Sequence, residues 1–130
     1  ALTAGGVIIY NFAKATFTDC KALLAGGGLY AGIPGVLYDG VLRGVLYVFG
    51  SIAFIGCKVF GKVQPAGGGG AFAINVIIWN LAKATFQDCY SAGAGGGLSV
   101  DGWLNVSGSV AFESCASLHI GGGGTAANAI

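Results

Sequence analysis

Apolar and polar residues alternate along much of the chain, most clearly in residues 95–120. Three short runs there, LSV, WLNV and VAFESC, are separated by the turn-forming sequences DG and SGS. A period of two is typical of β-strands, whose successive side chains point to opposite faces. One face then carries the apolar residues Leu98, Val100, Leu104, Val106, Val110 and Phe112. The other face carries Ser99, Asn105, Ser107, Ala111 and Glu113.

The same pattern recurs along the chain. Residues 7–20 and 76–89 are identical at 11 of 14 positions, and residues 45–57 align with 103–115. Both alignments place a Phe-x-x-Cys sequence at the same point, so the four cysteines occupy one position of a repeat. We assign the repeats to residues 1–25, 26–66 with a loop insertion near 29–44, 67–94 and 95–120, with the start of a further repeat at 121–130.

A unit of three short strands cannot bury its apolar face alone, but a stack of such units forms a continuous core. The sequence therefore predicts an all-β fold, a right-handed parallel β-helix of about four coils with three short strands in each. Equivalent side chains would lie above one another, about 4.8 Å apart. We expect an interior ladder of Phe17, Phe54, Phe86, Phe112, Cys20, Cys57, Cys89 and Cys115.

Composition narrows the class of protein. Only 8% of residues are charged, 55% are apolar and 26 of the 130 are glycine, unlike an ordinary soluble domain. Because the formal net charge is +1, we expect no nucleic-acid partner. The chain lacks methionine and closes on GGGGTAANAI, which looks like the first strand of another repeat. We therefore expect it to be a piece of a longer protein.

The glycine runs and the Phe-x-x-Cys sequences resemble the repeats of chlamydial polymorphic outer membrane proteins, which carry GGA[ILV] and FxxN motifs. They are also similar to the repeats of autotransporter passenger domains. The resemblance rests on Phe17, Phe54, Phe86 and Phe112 and on residues 26–29, 67–71, 95–98 and 121–125. Cysteine stands here where that family has asparagine. The resemblance implies an adhesin-like stalk or scaffold that is extracellular or on the cell surface.

The outer face of the predicted fold changes character between repeats. Positions that are polar in the last repeat are apolar in the second: Asn105 aligns with Tyr47, Ser107 with Phe49 and Glu113 with Ile55. Exposed apolar surface of this extent marks an interaction surface. We expect another protein, another copy of the chain or a membrane to cover it, or alternatively the loop near 29–44. The candidate interaction face consists of Tyr10, Tyr47, Phe49, Ile55 and Trp79.

A transmembrane helix is not expected. Residues 44–57 are uncharged but only 14 long, whereas a spanning helix needs about 20 apolar residues. They also align with 103–115, where Asn105, Ser107 and Glu113 are polar. The alternative to a surface stalk is an accessory subunit that docks by its apolar face in a large, membrane-associated complex, including one in an organelle.

The cysteines allow two interpretations. A column of cysteines is linear rather than tetrahedral, so the pattern does not favour zinc. Stacked residues about 4.8 Å apart fall within the Cα separation of disulfides, about 4.4–6.8 Å. Free thiols that pack as small apolar groups and disulfides between neighbouring repeats are therefore both compatible with the sequence.

Residues suited to catalysis are sparse. The sequence GCKVFGKV lacks the Ser or Thr that a phosphate-binding loop needs, and His119 stands alone. We predict a non-enzymatic structural or interaction protein with no catalytic residue, metal or cofactor. A polysaccharide lyase or hydrolase domain is the alternative from another class. The acidic residues are scattered among the repeats: Asp19, Asp39, Asp88, Asp101 and Glu113.

One modification signal is present. The sequence NVS at residues 105–107 is an acceptor for N-glycosylation, and the strand pattern points Asn105 outward. Asn105 is therefore a candidate glycosylation site in a secreted eukaryotic setting.

Overall fold

The structure is a computed structural model that describes residues 2–4, 6–23, 26–31, 45–61, 67–118 and 122–129. His119, Asp39 and most of the predicted loop insertion lie outside the described residues. The described part contains strands and no helix. The strands are β1 (Leu2–Ala4), β2 (Gly6–Ile9), β3 (Lys14–Thr18), β4 (Lys21–Ala22), β5 (Leu29–Ala31), β6 (Val45–Val48), β7 (Ser51–Ile55), β8 (Lys58–Val59), β9 (Ala71–Ala73), β10 (Asn75–Ile78), β11 (Lys83–Gln87), β12 (Tyr90–Ser91), β13 (Leu98–Val106), β14 (Ser109–Glu113), β15 (Ala116–Ser117) and β16 (Gly124–Ala129).

The strands form three sheets, and every strand pairing in the described part is parallel. Sheet A has the order β1-β5-β9-β13-β10-β6-β2, with β16 paired to β13. Sheet B has the order β14-β11-β7-β3, and sheet C has the order β15-β12-β8-β4. The chain passes through sheets A, B and C in turn and then returns to sheet A. This confirms the predicted all-β class and the parallel pairing of equivalent strands.

The sequence predicts three strands in each repeat, and the observed strands differ from this prediction in number and in length. A two-residue strand follows each cysteine and builds sheet C. The Asp101–Gly102 pair, which the sequence predicts as a turn, lies inside the nine-residue strand β13. The register there shifts between Val100 and Trp103. The backbone amide of Gly102 donates to the carbonyl of Ile74 at 2.6 Å, so hydrogen bonding to the preceding repeat continues through the predicted turn.

The core lies between the three sheets. Buried side chains alternate with outward ones, as in β7, where Ile52 and Phe54 are buried and their neighbours are half-buried. The buried hydroxyl of Ser91 accepts a hydrogen bond from the amide of Gly93 at 3.0 Å, so its polar atom is satisfied. The largest fully buried side chains are Phe54, Phe86, Leu29, Leu46, Ile52, Ile78, Leu98, Val48, Val59, Val76, Cys57 and Cys89.

The phenylalanines of the Phe-x-x-Cys sequences form a continuous stack through sheet B. The ring centroids of Phe17 and Phe54 are 5.0 Å apart, as are those of Phe54 and Phe86. Phe86 and Phe112 continue the stack at 5.1 Å, and all three pairs are within 14° of parallel. The ring separation matches the spacing of parallel strands, about 4.8 Å.

The last glycine of each of the runs 26–28, 67–70 and 95–97 lies against this phenylalanine stack. A Cβ atom added to Gly70 would lie 2.7 Å from Cδ1 of Phe86 and 3.0 Å from Cβ of Phe54. Gly28 and Gly97 would meet the rings of their own repeats at 2.8 Å. Because protein interiors are close-packed, any side chain here would displace a ring. The glycine runs and the Phe-x-x-Cys sequences are therefore two halves of one packing contact.

The glycine two residues earlier in each of these runs is required for another reason. Gly26, Gly68 and Gly95 have φ angles of 61°, 66° and 64°. This left-handed conformation is accessible to glycine without steric conflict. It turns the chain just before β5, β9 and β13, which brings the last glycine of the run against the ring.

The last repeat is less buried than the sequence predicts. Phe54 and Phe86 are fully buried, whereas Phe112 is 40% exposed. Leu104, Val106 and Val110 are only half-buried. Val110 and Phe112 lie on β14, which no described strand covers on the far side. The pairing of β16 with β13 ends at Leu104.

The contact between glycine and phenylalanine predicts a specific loss of stability. Replacement Gly70→Ala places a methyl group against the Phe86 ring and the Gly97 carbonyl, so we expect the free energy of unfolding to fall by about 1–3 kcal/mol. Chemical denaturation followed by circular dichroism measures this. Gly6→Ala is the matched control, because its Cβ atom would meet only the Val45 carbonyl at an ordinary 3.5 Å. Equal effects of the two substitutions would contradict the packing argument.

Candidate interaction surface

The outward side of sheet A carries a column of side chains in register. Ile8 pairs with Tyr47, Tyr47 with Ile77, and Ile77 with Asn105. The column is therefore apolar in the first three repeats and polar in the fourth. Tyr47 and Ile77 are half-buried, whereas Ile8 is 48% exposed.

A second outward column follows directly after the same strands and contains Tyr10, Phe49, Trp79 and Ser107. The rings of Phe49 and Trp79 stack at 5.2 Å and 13°, and Tyr47 lies 6.4 Å from Phe49. Tyr10 is 69% exposed and Trp79 is 44% exposed. Together the two columns make a stacked aromatic surface, which we call the aromatic face: Ile8, Tyr10, Tyr47, Phe49, Ile77 and Trp79.

The structure separates Ile55 from the other four residues of the predicted face. Ile55 lies on the outward side of sheet B, in a column with Thr18, Gln87 and Glu113. It has polar neighbours in register and is half-buried. Sequence alignment identified an outward position correctly here but could not assign it to a sheet, because all outward positions have the same period of two.

Sequence reasoning missed two apolar residues at turns between sheets A and B. Phe12 and Leu81 are 100% and 97% exposed. They lie in turns closed by hydrogen bonds from the Ala13 amide to the Tyr10 carbonyl and from the Ala82 amide to the Trp79 carbonyl, each 3.0 Å. The repeated sequence [YW]-N-[FL]-A-K could have revealed these two residues. It places an apolar residue in the turn where the second and fourth repeats have a glycine.

The four cysteines occupy one column at the junction of sheets B and C. The thiols of Cys57, Cys89 and Cys115 donate hydrogen bonds to the carbonyls of Phe17, Phe54 and Phe86, at 3.4, 3.5 and 3.3 Å. Each thiol thus bonds to the phenylalanine of the preceding repeat. All four are free thiols in this structure.

Neighbouring thiols in this column also influence one another. The hydrogen bond with Cys89 lowers the pKa of Cys57, and the same bond, with burial, raises the pKa of Cys89. Cys57 is therefore the first thiol of this pair to lose its proton. Burial raises the pKa of the Cys20 thiol. Among the described residues, no group of three or more His, Cys, Asp or Glu side chains is arranged to hold a metal ion.

The acidic residues in the described ranges do not converge on a common site. Asp19, Gly56, Asp88 and Ser114 occupy equivalent positions before the cysteines, all with φ between 53° and 66°. Asp19 and Asp88 therefore lie two repeats apart, with Gly56 between them, at a separation of about 10 Å. A mechanism that uses two carboxylates needs both groups to face one substrate.

Asn105, the candidate glycosylation site, is exposed on β13. It stands at the polar end of the column that is otherwise formed by Ile8, Tyr47 and Ile77.

Comparison with protein-family models, with curated proteins and with solved structures finds no match for this chain. Across the described part of the chain, no helix has the length and apolar character needed to cross a membrane.

The burial of the thiols predicts two classes of reactivity. Cys57 and Cys89 are at most 1% exposed, whereas Cys20 and Cys115 at the ends of the column are half-buried. We expect a thiol reagent such as dithionitrobenzoate to modify Cys20 and Cys115 in the folded protein, and Cys57 and Cys89 only after denaturation. Mass spectrometry of labelled peptides assigns the sites. In the Cys20→Ser/Cys115→Ser variant the fast reaction should disappear, and rapid labelling of Cys57 in the native state would contradict the prediction.

Proposed function

We propose that the protein is a segment of a right-handed parallel β-helix with a non-enzymatic structural or interaction role. The succession of sheets A, B and C in each repeat supports this architecture, as does the pairing of strands in chain order. In such a solenoid each repeat packs only on its neighbours, and the core is continuous through the stack. The stacked phenylalanines and cysteines are the interior ladder of this fold.

The aromatic face carries the proposed interaction. Tyr10, Tyr47, Phe49 and Trp79 lie together on the outside of sheet A, and the equivalent positions in the fourth repeat are the polar Asn105 and Ser107. The same backbone can therefore carry polar residues at these positions. Folding does not require the aromatic residues there, which supports an intermolecular role for them.

The occupant that we propose for the aromatic face is protein, either a partner or a second copy of this chain. Aromatic residues are enriched at protein interfaces, where they bury a large area with few rotatable bonds. The likeness of the glycine and Phe-x-x-Cys motifs to polymorphic outer membrane protein repeats supports an adhesin-like scaffold. An extracellular or cell-surface location follows from that likeness alone and stays a prediction.

The experiment exchanges the aromatic face for the polar version that the chain itself contains. Tyr47→Asn and Phe49→Ser copy Asn105 and Ser107 of the fourth repeat. We expect the wild-type chain to self-associate as its concentration rises, because the aromatic face lacks its partner, and we expect the double variant to remain monomeric. Sedimentation velocity over a concentration series measures both.

The reciprocal variant is the matched control. Asn105→Tyr combined with Ser107→Phe extends the aromatic face into the fourth repeat and should strengthen self-association. Circular dichroism of each variant verifies that the fold is retained. A wild-type chain that stays monomeric and soluble at high concentration would overturn the proposed function.

A further inference from the structure

Two turns at one edge of the molecule project apolar side chains into solvent. Residues 10–14 read YNFAK and residues 79–83 read WNLAK, and each segment connects sheet A to sheet B. We call these two segments together the turn edge. Their tips are Phe12 and Leu81, which are almost completely exposed.

The backbone at both tips is unfavourable for the residue that occupies it. Phe12 and Leu81 have φ angles of 64° and 67°. Left-handed backbone is uncommon for bulky residues and is retained where the surrounding structure imposes it, often at functional sites. Exposure of a large apolar side chain adds a second unfavourable term. Both features occur twice, at the same position of equivalent turns.

The other repeats show that a projecting tip is not needed for the connection. In the second and fourth repeats, Gly50 and Gly108 make the same connection with a shorter turn. Gly50 lies directly under the first long turn, so that an added Cβ atom would collide with the carbonyls of Tyr10 and Ala13. The two tips therefore stand on either side of the short second turn, about 10 Å apart at the strand spacing.

The surroundings of the tips indicate what they contact. Each tip follows an exposed aromatic residue, Tyr10 or Trp79, and precedes an exposed lysine, Lys14 or Lys83. A shallow depression of about 480 Å³ lies between the two turns, and none of its lining residues is acidic. Asp19 and Asp88 follow at the opposite ends of β3 and β11, about 16 Å along the strands from the lysines. The turn edge thus combines apolar tips, aromatic residues and lysines that lie far from Asp19 and Asp88.

We propose that the turn edge docks on the surface of a lipid bilayer that contains anionic headgroups. Phe12 and Leu81 enter the boundary of the acyl chains, as the apolar residues of interfacial segments do. Tyr10 and Trp79 lie at the headgroup level, which aromatic residues favour. Lys14 and Lys83 contact the anionic headgroups. The lysines argue against a protein in this position, because lysine is depleted from protein interfaces.

This surface shares Tyr10 and Trp79 with the aromatic face, but its tips and lysines lie outside that face, so the proposal does not rest on the proposed function. The test uses the complete 130-residue chain and vesicles of phosphatidylcholine, with or without phosphatidylserine. Trp103→Phe leaves Trp79 as the only tryptophan, because the chain has two. We expect the chain to co-sediment with the phosphatidylserine vesicles, with a blue shift of the Trp79 emission. Binding should weaken as salt screens the lysines.

Paired substitutions identify the docking residues. Asparagine tolerates the left-handed conformation, so Phe12→Asn/Leu81→Asn should fold at least as stably as the wild type. It should bind the vesicles about tenfold more weakly for each tip removed. Lys14→Gln/Lys83→Gln should lose about fivefold per lysine, on anionic vesicles only. Leu118→Asn is the matched control, since Leu118 is 59% exposed outside the turn edge, and it should bind as the wild type does.

Three results would overturn the proposal. The first is no partition of the wild-type chain into either kind of vesicle. The second is equal binding by the wild type and the Phe12→Asn/Leu81→Asn variant. The third is loss of self-association in that variant without any effect of vesicles, which would assign the tips to a protein contact. The Tyr47→Asn/Phe49→Ser variant tests the aromatic face separately, by its oligomeric state.

Discussion

The contact of each phenylalanine ring with a glycine across the core is the constraint on which the rest of the structure depends. The ring of Phe86 occupies space that a Cβ atom on Gly70 would fill, and the same arrangement recurs one repeat before and after. This contact sets the separation of sheets A and B and holds the rings about 5 Å apart in their stack. Because any side chain at these glycines would displace a ring, the glycine runs are matched to the Phe-x-x-Cys sequences of the same repeats.

The residues inside the stack and those on its surface recur differently along the chain. Inside, every repeat has the same phenylalanine and cysteine, and each buried thiol bonds to a carbonyl of the repeat before it. Outside, the first and third repeats share the long turns that end in Phe12 and Leu81, whereas the second and fourth have glycine turns. The core therefore repeats with every unit, whereas the long turns recur in every second unit. The outward side chains can vary because the phenylalanine and cysteine contacts inside do not involve them.

Sequence periodicity predicted the all-β class, the parallel pairing and the stacking of Phe17, Phe54, Phe86 and Phe112, because identical residues recur at equivalent points. It did not predict that Asp101 and Gly102 lie within a strand, since that depends on hydrogen bonds to Ile74 and Asn75 of another repeat. The sequence predicted that Ile55 points outward, but it did not predict to which sheet Ile55 belongs. The exposure of Phe12 and Leu81 depends on a backbone conformation that hydrophobic periodicity does not report.

The order of the strands in space also determines how this molecule responds to mechanical load. Equivalent strands in each sheet lie in chain order, so β3 and β14 are at opposite ends of sheet B. Tension along the stack passes through every repeat in series, and a repeat at one end of the described stack opens first because it has a neighbour on one side only. Extension would then proceed in steps of one repeat, each of which separates one phenylalanine ring from its neighbour. A chain built in this way yields gradually under force, and the repeats that have not yet opened keep their core.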